Sequence, residues 1–226
     1  MPIPLPIPLP LPTGQMELRP ASDTDAAAMG WLAHDLLPPH ERHFTPGLSS
    51  RRGPTQEVTA RSFLQRTWAN RSELCTENWT IPFAVVIDGN VVGMQAIHAD
   101  DFPVSRTVRT GSFLAASARS RGVGTAMRAL VVEFCIAQLG AHTMVTGHMV
   151  DNLASQRVSQ KLGYEFVATE QQEFGGAHHA KHVLSLSAQR WTAARPPWLD
   201  AAEFTGVEPV LALLGCAGAG AGAGET

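Results

Sequence analysis

The apolar positions of this chain switch between two periods. A short apolar–polar alternation at Met16–Arg19 predicts a first strand. Ser22 or Asp23 then caps a helix reaching about Leu37, where Pro38 and Pro39 stop it. Residues 40–53 read as a loop, and Val58, Phe63, Leu64 and Trp68 give a second helix over about Thr55–Leu74. Two apolar runs, Phe83–Ile87 and Val91–Ile97, predict a pair of strands. The Asp88-Gly89-Asn90 step between them supplies the positive φ angles of a tight hairpin. Thr107–Ala115 predicts another strand. A glycine loop follows it and opens a long helix with Val123, Met127, Leu130, Val131 and Phe134 on one face, ending near Gly140. His142–Met149 reads as a strand, and Asp151 caps a shorter helix ending at Leu162-Gly163. Tyr164–Ala168 and Lys181–Leu186 read as the last two strands around a Gly175-Gly176 turn. Val207–Leu214 is apolar and reads as a further docking strand.

These elements make one mixed α/β domain with about seven strands in a twisted, mostly antiparallel sheet and helices on both faces. The domain is expected over 15–188. A proline-rich arm (1–14) precedes it. An extension (189–215) follows, packing on the domain or on a dimer partner, and then a Gly/Ala-rich tail (216–226). In the arm, proline alternates with isoleucine or leucine and no basic segment precedes it. It therefore reads as a polyproline-like arm, disordered or lying on a surface, and as neither leader nor membrane span.

Charge and cysteine usage narrow the partners. The 226 residues carry a net charge of -3, which argues against nucleic acid or an anionic membrane as partner. Cys75, Cys135 and Cys216 show no metal-ligand spacing and read as reduced thiols of a cytoplasmic protein, with no metal. Cys135 falls on a packing face.

The chemistry is concentrated in strand, Arg119-x-x-Gly122-x-Gly124, helix. Glycines allow close backbone approach, and the helix N-terminus turns free N–H groups toward the loop. Arg119 and Arg121 add positive charge. Together they suit a phosphate or pyrophosphate. No Gly-Lys-Ser/Thr follows, and the third glycine of a dinucleotide fingerprint is replaced in Thr125-Ala126-Met127.

About 28 residues on come Asn152, Ser155, Val158, Lys161, Gly163 and Tyr164, in the pattern N-x-x-S-x-x-V-x-x-K-x-G-Y. In this order the two motifs resemble the GNAT superfamily of N-acetyltransferases over roughly Leu18–Leu186. The variant is similar to the ribosomal-protein N-terminal acetyltransferase branch, and Thr110–Leu114 and Val207–Pro209 to an actinobacterial group within it. The resemblance implies an acyl-CoA-dependent acyltransferase with acetyl-CoA or succinyl-CoA as donor. The strands Thr107–Ala115 and His142–Met149 would be a parallel pair that splays around the pantetheine arm. Backbone at Phe113, Leu114 and Ala116 would meet that arm, with Leu114 N–H near the oxyanion. The segment Arg119, Arg121, Gly122, Val123, Gly124 and Thr125 would hold the pyrophosphate, with Asn152 and Ser155 alongside.

Where many relatives place a tyrosine acid, this chain has Ser159, a candidate hydrogen-bond donor to the leaving sulfur; a solvent-facing or backbone-bonded mid-helix serine is the plainer alternative. No motif fixes the base. His148, at the end of a fork strand, is one candidate and a packing histidine the alternative. His98, Asp100 and Asp101 are others, or loop residues; His178-His179 read as a solvent-facing turn. Trp68, Trp79 and Phe83 are candidate pocket or core aromatics. Arg51-Arg52 is a candidate carboxylate reader or a solvated pair. The acceptor is expected to be a small-molecule amine. A peptide amine and a non-catalytic CoA-binding role stand as alternatives, and a homodimer is expected.

Overall fold

The structure, a computed structural model, describes residues 3–5, 15–36, 53–174 and 177–216. In chain order the strands are β1 (Ile3–Leu5), β2 (Met16–Pro20), β3 (Trp79–Ile87), β4 (Asn90–Ala99), β5 (Thr107–Leu114), β6 (Thr143–Met149), β7 (Glu165–Phe174) and β8 (Ala177–Ser187). The helices are α1 (Asp23–Leu36), α2 (Gln56–Ser72), α3 (Phe102–Ser105), α4 (Val123–Glu133), α5 (Leu153–Lys161), α6 (Ala188–Ala194) and α7 (Val207–Leu213). One sheet runs β1-β2-β3-β4-β5-β6-β8-β7, antiparallel throughout except for β5 and β6.

The seven expected strands are present. Two expectations are corrected. Ile3–Leu5, read as part of a disordered arm, forms an eighth strand, with Ile3 opposite Leu18 and Leu5 opposite Met16. Proline at alternate positions still leaves the residues between them able to pair at a sheet edge. Val207–Leu214, read as a strand, is helix α7. The rest of the arm and the tail lie outside the described residues, as does the Gly175-Gly176 turn.

Local chemistry explains the helix starts. Ser22 Oγ accepts from Asp25 N–H at 3.1 Å, and the Asp25 carboxylate accepts from Ser22 N–H at 3.1 Å, a reciprocal cap that begins α1. Thr55 caps α2. The cap of α5 is Asn152, not Asp151. Asp88 (φ 49°) and Gly89 (φ 79°) make the left-handed hairpin turn between β3 and β4.

The sheet has a core on each face. Alternate residues Ala84 and Val86 of β3 and Phe113 of β5 pack beneath α1 and α2. Their neighbours Phe83, Val85 and Leu114 pack with α4 on the other face. This second core also takes Trp191, Leu199, Val207 and Leu214 from the C-terminal segment. Trp191 Nε1 and Arg195 Nε both donate to the Glu133 carboxylate at 2.8 Å, fastening that segment to α4.

Candidate active site in the strand fork

Backbone pairing creates the site. β5 and β6 are paired only over Thr107–Thr110 and Thr143–Thr146. Beyond Thr110 each strand keeps its outer neighbour alone: β5 follows β4 until Leu114 stands opposite Gly93, and β6 follows β8 until Met149 stands opposite Lys181. Gly111–Leu114 and Gly147–Met149 therefore diverge and turn unpaired backbone edges into a gap. Backbone polar groups there must find partners in water or in a ligand.

A cavity of about 500 Å³ fills this fork. One end is walled by Arg119, Gly122, Gly124 and Thr125, and the other by Ser112, Arg128 and His148. Among the described residues its wall contains Arg119, Arg128, Arg157, Lys161 and Lys181, and no aspartate or glutamate. A void of that size and sign fits a large anionic ligand.

The loop is shaped by three strained or pinned points. Ser120 and Gly122 lie in the left-handed region at φ 59° and 83°, which turns the chain into α4. Val123 is buried beneath the loop and anchors it. Arg119 Nε donates to Leu114 O at 3.0 Å, tying the loop back to the end of β5. At the start of α4, Thr125 N–H donates to Gly122 O at 3.0 Å, and the N–H groups of Val123 and Gly124 ahead of it have no helical carbonyl to bond. Gly124 lines the cavity in ordinary helical conformation. A Cβ there would sit 3.6 Å from both Leu114 and Val158 side chains.

The sequence-derived candidates divide as follows. Phe113, Leu114, Arg119, Gly122, Gly124, Thr125, Asn152, Ser155 and His148 border one cavity, whereas Ala116, Arg121 and Val123 shape the loop without lining it. The Phe113 ring turns away to meet Phe63 edge-on at 6.2 Å, leaving its backbone in the fork. Asn152 Oδ1 accepts from Ser155 N–H at 3.0 Å and is occupied as a helix cap. Ser159 is fully buried, its hydroxyl has no partner, and it does not line the cavity.

His148 is buried at the cavity wall. Its Nδ1 lies 3.0 Å from Met149 O. A carbonyl only accepts, so the neutral ring carries its proton on Nδ1 and presents the Nε2 lone pair. That Nε2 has no partner. His98 is held elsewhere, with Nδ1 2.8 Å from Thr80 Oγ1 and Nε2 3.0 Å from Asp100 Oδ2. None of His98, Asp100 and Asp101 lines the fork.

Other candidates are placed plainly. Trp79 and Phe83 are core residues, and Trp68 lies on the surface, donating to Asp23 at 3.1 Å. His178 and His179 belong to β8, opposite Glu173 and Gln172, rather than to a turn. Arg51 and Arg52 fall outside the described residues. Among the described residues no group of three or more His, Cys, Asp or Glu is arranged to hold a metal ion, and no helix is long and apolar enough to cross a membrane.

Arg128 was not foreseen as a site residue. It is buried, and donates to Thr146 Oγ1 at 2.8 Å and to Ser112 Oγ at 3.1 Å. It bridges the two fork strands where they part. The available signal was a charged residue within a helix whose neighbours are apolar nearly all round.

Fold and site together describe an acyltransferase that takes its acyl group from coenzyme A. A family model for the acetyltransferase (GNAT) domain matches residues 15–165, and the chain belongs to that family. Among solved structures, it is similar to Mycobacterium smegmatis RimJ in complex with CoA-disulfide. That likeness has 22% identity and a TM-score of 0.69, and covers 90% of this chain and 97% of the other. It is also similar to RimL, a ribosomal L7/L12 alpha-N-protein acetyltransferase in complex with coenzyme A. Here identity is 17% and the TM-score 0.64, covering 83% of this chain and 99% of the other. Ribosomal-protein-S5-alanine acetyltransferase from Vibrio fischeri shares the fold at 15% identity and a TM-score of 0.60, with 78% of this chain and 94% of the other covered.

Proposed function

We propose that this enzyme transfers an acetyl or succinyl group from coenzyme A to a small-molecule amine. The observation that carries this reading is the acid-free cavity joining the Gly122–Thr125 loop to the β5–β6 fork. The loop and the start of α4 hold the pyrophosphate, and the open edge of β5 takes the pantetheine amides. The thioester then lies between the diverging strands, with backbone N–H near Leu114 directed at its oxygen.

The amine nitrogen attacks the thioester carbonyl carbon. A C–N bond forms, the C–S bond breaks, and the sulfur departs with the electron pair. His148 Nε2 receives the proton that the amine loses, and that proton returns to the thiolate, giving an amide and free CoA thiol. The ring suits this task because its other nitrogen is committed to Met149 O. Positioning accounts for most of the remaining rate.

A small acceptor is favoured because a cationic peptide would meet a wall that, among the described residues, carries no carboxylate. A peptide N-terminus is the second reading, supported by the fold shared with RimJ and RimL. Thiol release from acetyl-CoA, followed over matched panels of small amines and amino-terminal peptides, separates the two. Turnover with small amines and none with peptides is expected; the reverse selects the second reading.

A further inference from the structure

Arg128 poses a problem that the transfer chemistry leaves open. Its side chain is enclosed by α4, β5 and β6, and its residue is 4% exposed. Its two hydrogen bonds go to neutral hydroxyls, Ser112 and Thr146, and Nε has no partner. Among the described residues no carboxylate forms an ion pair with it. The Tyr164 phenol lies beside it as a further neutral partner, and burial pushes that phenol up to about 12, so it stays neutral at working pH. Burial also pushes the guanidinium down from its ordinary value, yet arginine keeps its proton in proteins. A desolvated cation without a counter-charge is costly, and natural sites of this kind are completed by an anion.

The phosphates are not that anion. They sit at the loop, and Arg128 comes six residues after Gly122, about 9 Å along the helix axis. It stands at the closed end of the fork, beside the last paired position, Thr110 opposite Thr146. A chain entering along β5 from the loop thus meets this uncompensated cation at the closed end of the fork.

We infer that Arg128 forms a carboxylate subsite for the free end of a short dicarboxylic acyl group carried on coenzyme A. This rests on the acyltransferase reading and narrows its donor. A planar guanidinium held by Ser112 and Thr146 is suited to a carboxylate in a way that the methyl of an acetyl group cannot use. The transfer itself is unchanged: the amine displaces the CoA thiol and the distal carboxylate stays ionised and unreacted.

The test uses the full-length protein with acetyl-CoA, succinyl-CoA and free CoA, as wild type, Arg128→Met and Arg128→Lys. Wild type should prefer succinyl-CoA in kcat/KM. Arg128→Met should lower the ratio of kcat/KM for succinyl-CoA to that for acetyl-CoA by roughly 100-fold. Arg128→Lys should restore part of the succinyl preference. If Arg128→Met fails to fold, wild-type affinities decide, since the subsite requires succinyl-CoA to bind more tightly than acetyl-CoA. Equal wild-type use of both donors, or an equal loss on both in the variant, overturns the inference. A loss confined to carboxylate-bearing acceptors, with acetyl-CoA as fixed donor, overturns it too and moves the subsite to the acceptor. Absence of any CoA binding by wild type would instead remove the acyltransferase reading beneath it.

Discussion

Gly124 offers a sharp separation of folding from binding. Its backbone is helical, so the residue is not needed for a special φ. A Cβ would meet Leu114 and Val158 at 3.6 Å, an ordinary contact. Gly124→Ala should therefore fold normally, and gain about 0.5–1 kcal/mol because alanine restricts the unfolded chain and favours helix. Gly124→Glu adds a longer, charged side chain to the same cavity wall. A carboxylate about 4 Å from one phosphate charge, at an effective dielectric near 20, costs about 4 kcal/mol. At 1.4 kcal/mol per tenfold, that weakens CoA binding by roughly 10³-fold, and steric exclusion adds to it. The assay is thermal unfolding with and without saturating CoA. Wild type and Gly124→Ala should both shift upward with ligand, the alanine variant less, while Gly124→Glu should unfold cooperatively and show no shift. A ligand shift in Gly124→Glu equal to that of wild type would refute the placement of the pyrophosphate.

Other outcomes follow from the same geometry. His148→Ala should lower kcat by about 10²–10⁴-fold and leave CoA affinity unchanged, as read from steady-state rates beside calorimetric titration. Ser159→Ala should retain CoA affinity and, because its hydroxyl is walled off from the cavity, a rate within a few-fold of wild type; a large fall in kcat would return the leaving-group role to it. Trp191→Ala removes a buried indole and one of the two donors to Glu133, so chemical denaturation should show a loss of about 3–5 kcal/mol. Burial raises the Asp25 pKa, but hydrogen bonds from Arg19 and Ser22 outweigh it and hold the carboxyl below its ordinary 3.8. A depressed folded-state pKa means that this stabilisation is full above the ordinary value and disappears as pH falls through the folded one. Asp25→Asn should therefore flatten the acid limb of a stability profile below about pH 4.

Much of the fold was legible because each element carried its own signal. Apolar runs on either side of Asp88-Gly89 marked β3 and β4, and Ser22 and Thr55 marked helix starts. The glycine loop was legible because glycine spacing and a helix start are local. Val207–Leu213 was not: its apolar run fits either period, and docking on the α4 core decides for helix. Ile3–Leu5 was obscured by alternating proline, since only the partner strand, Met16–Leu18, reveals an edge pairing. Arg128 was missed because its meaning lies in Ser112 and Thr146, 16 and 18 residues away in sequence, which only the parting of β5 from β6 brings to it.

The most direct test is calorimetric titration of the wild-type protein with free CoA and acyl-CoA. One-to-one binding with a Kd on the order of micromolar, about −8 kcal/mol, is the predicted result. No detectable binding of any CoA species by folded protein would contradict the account and leave the glycine loop a structural turn.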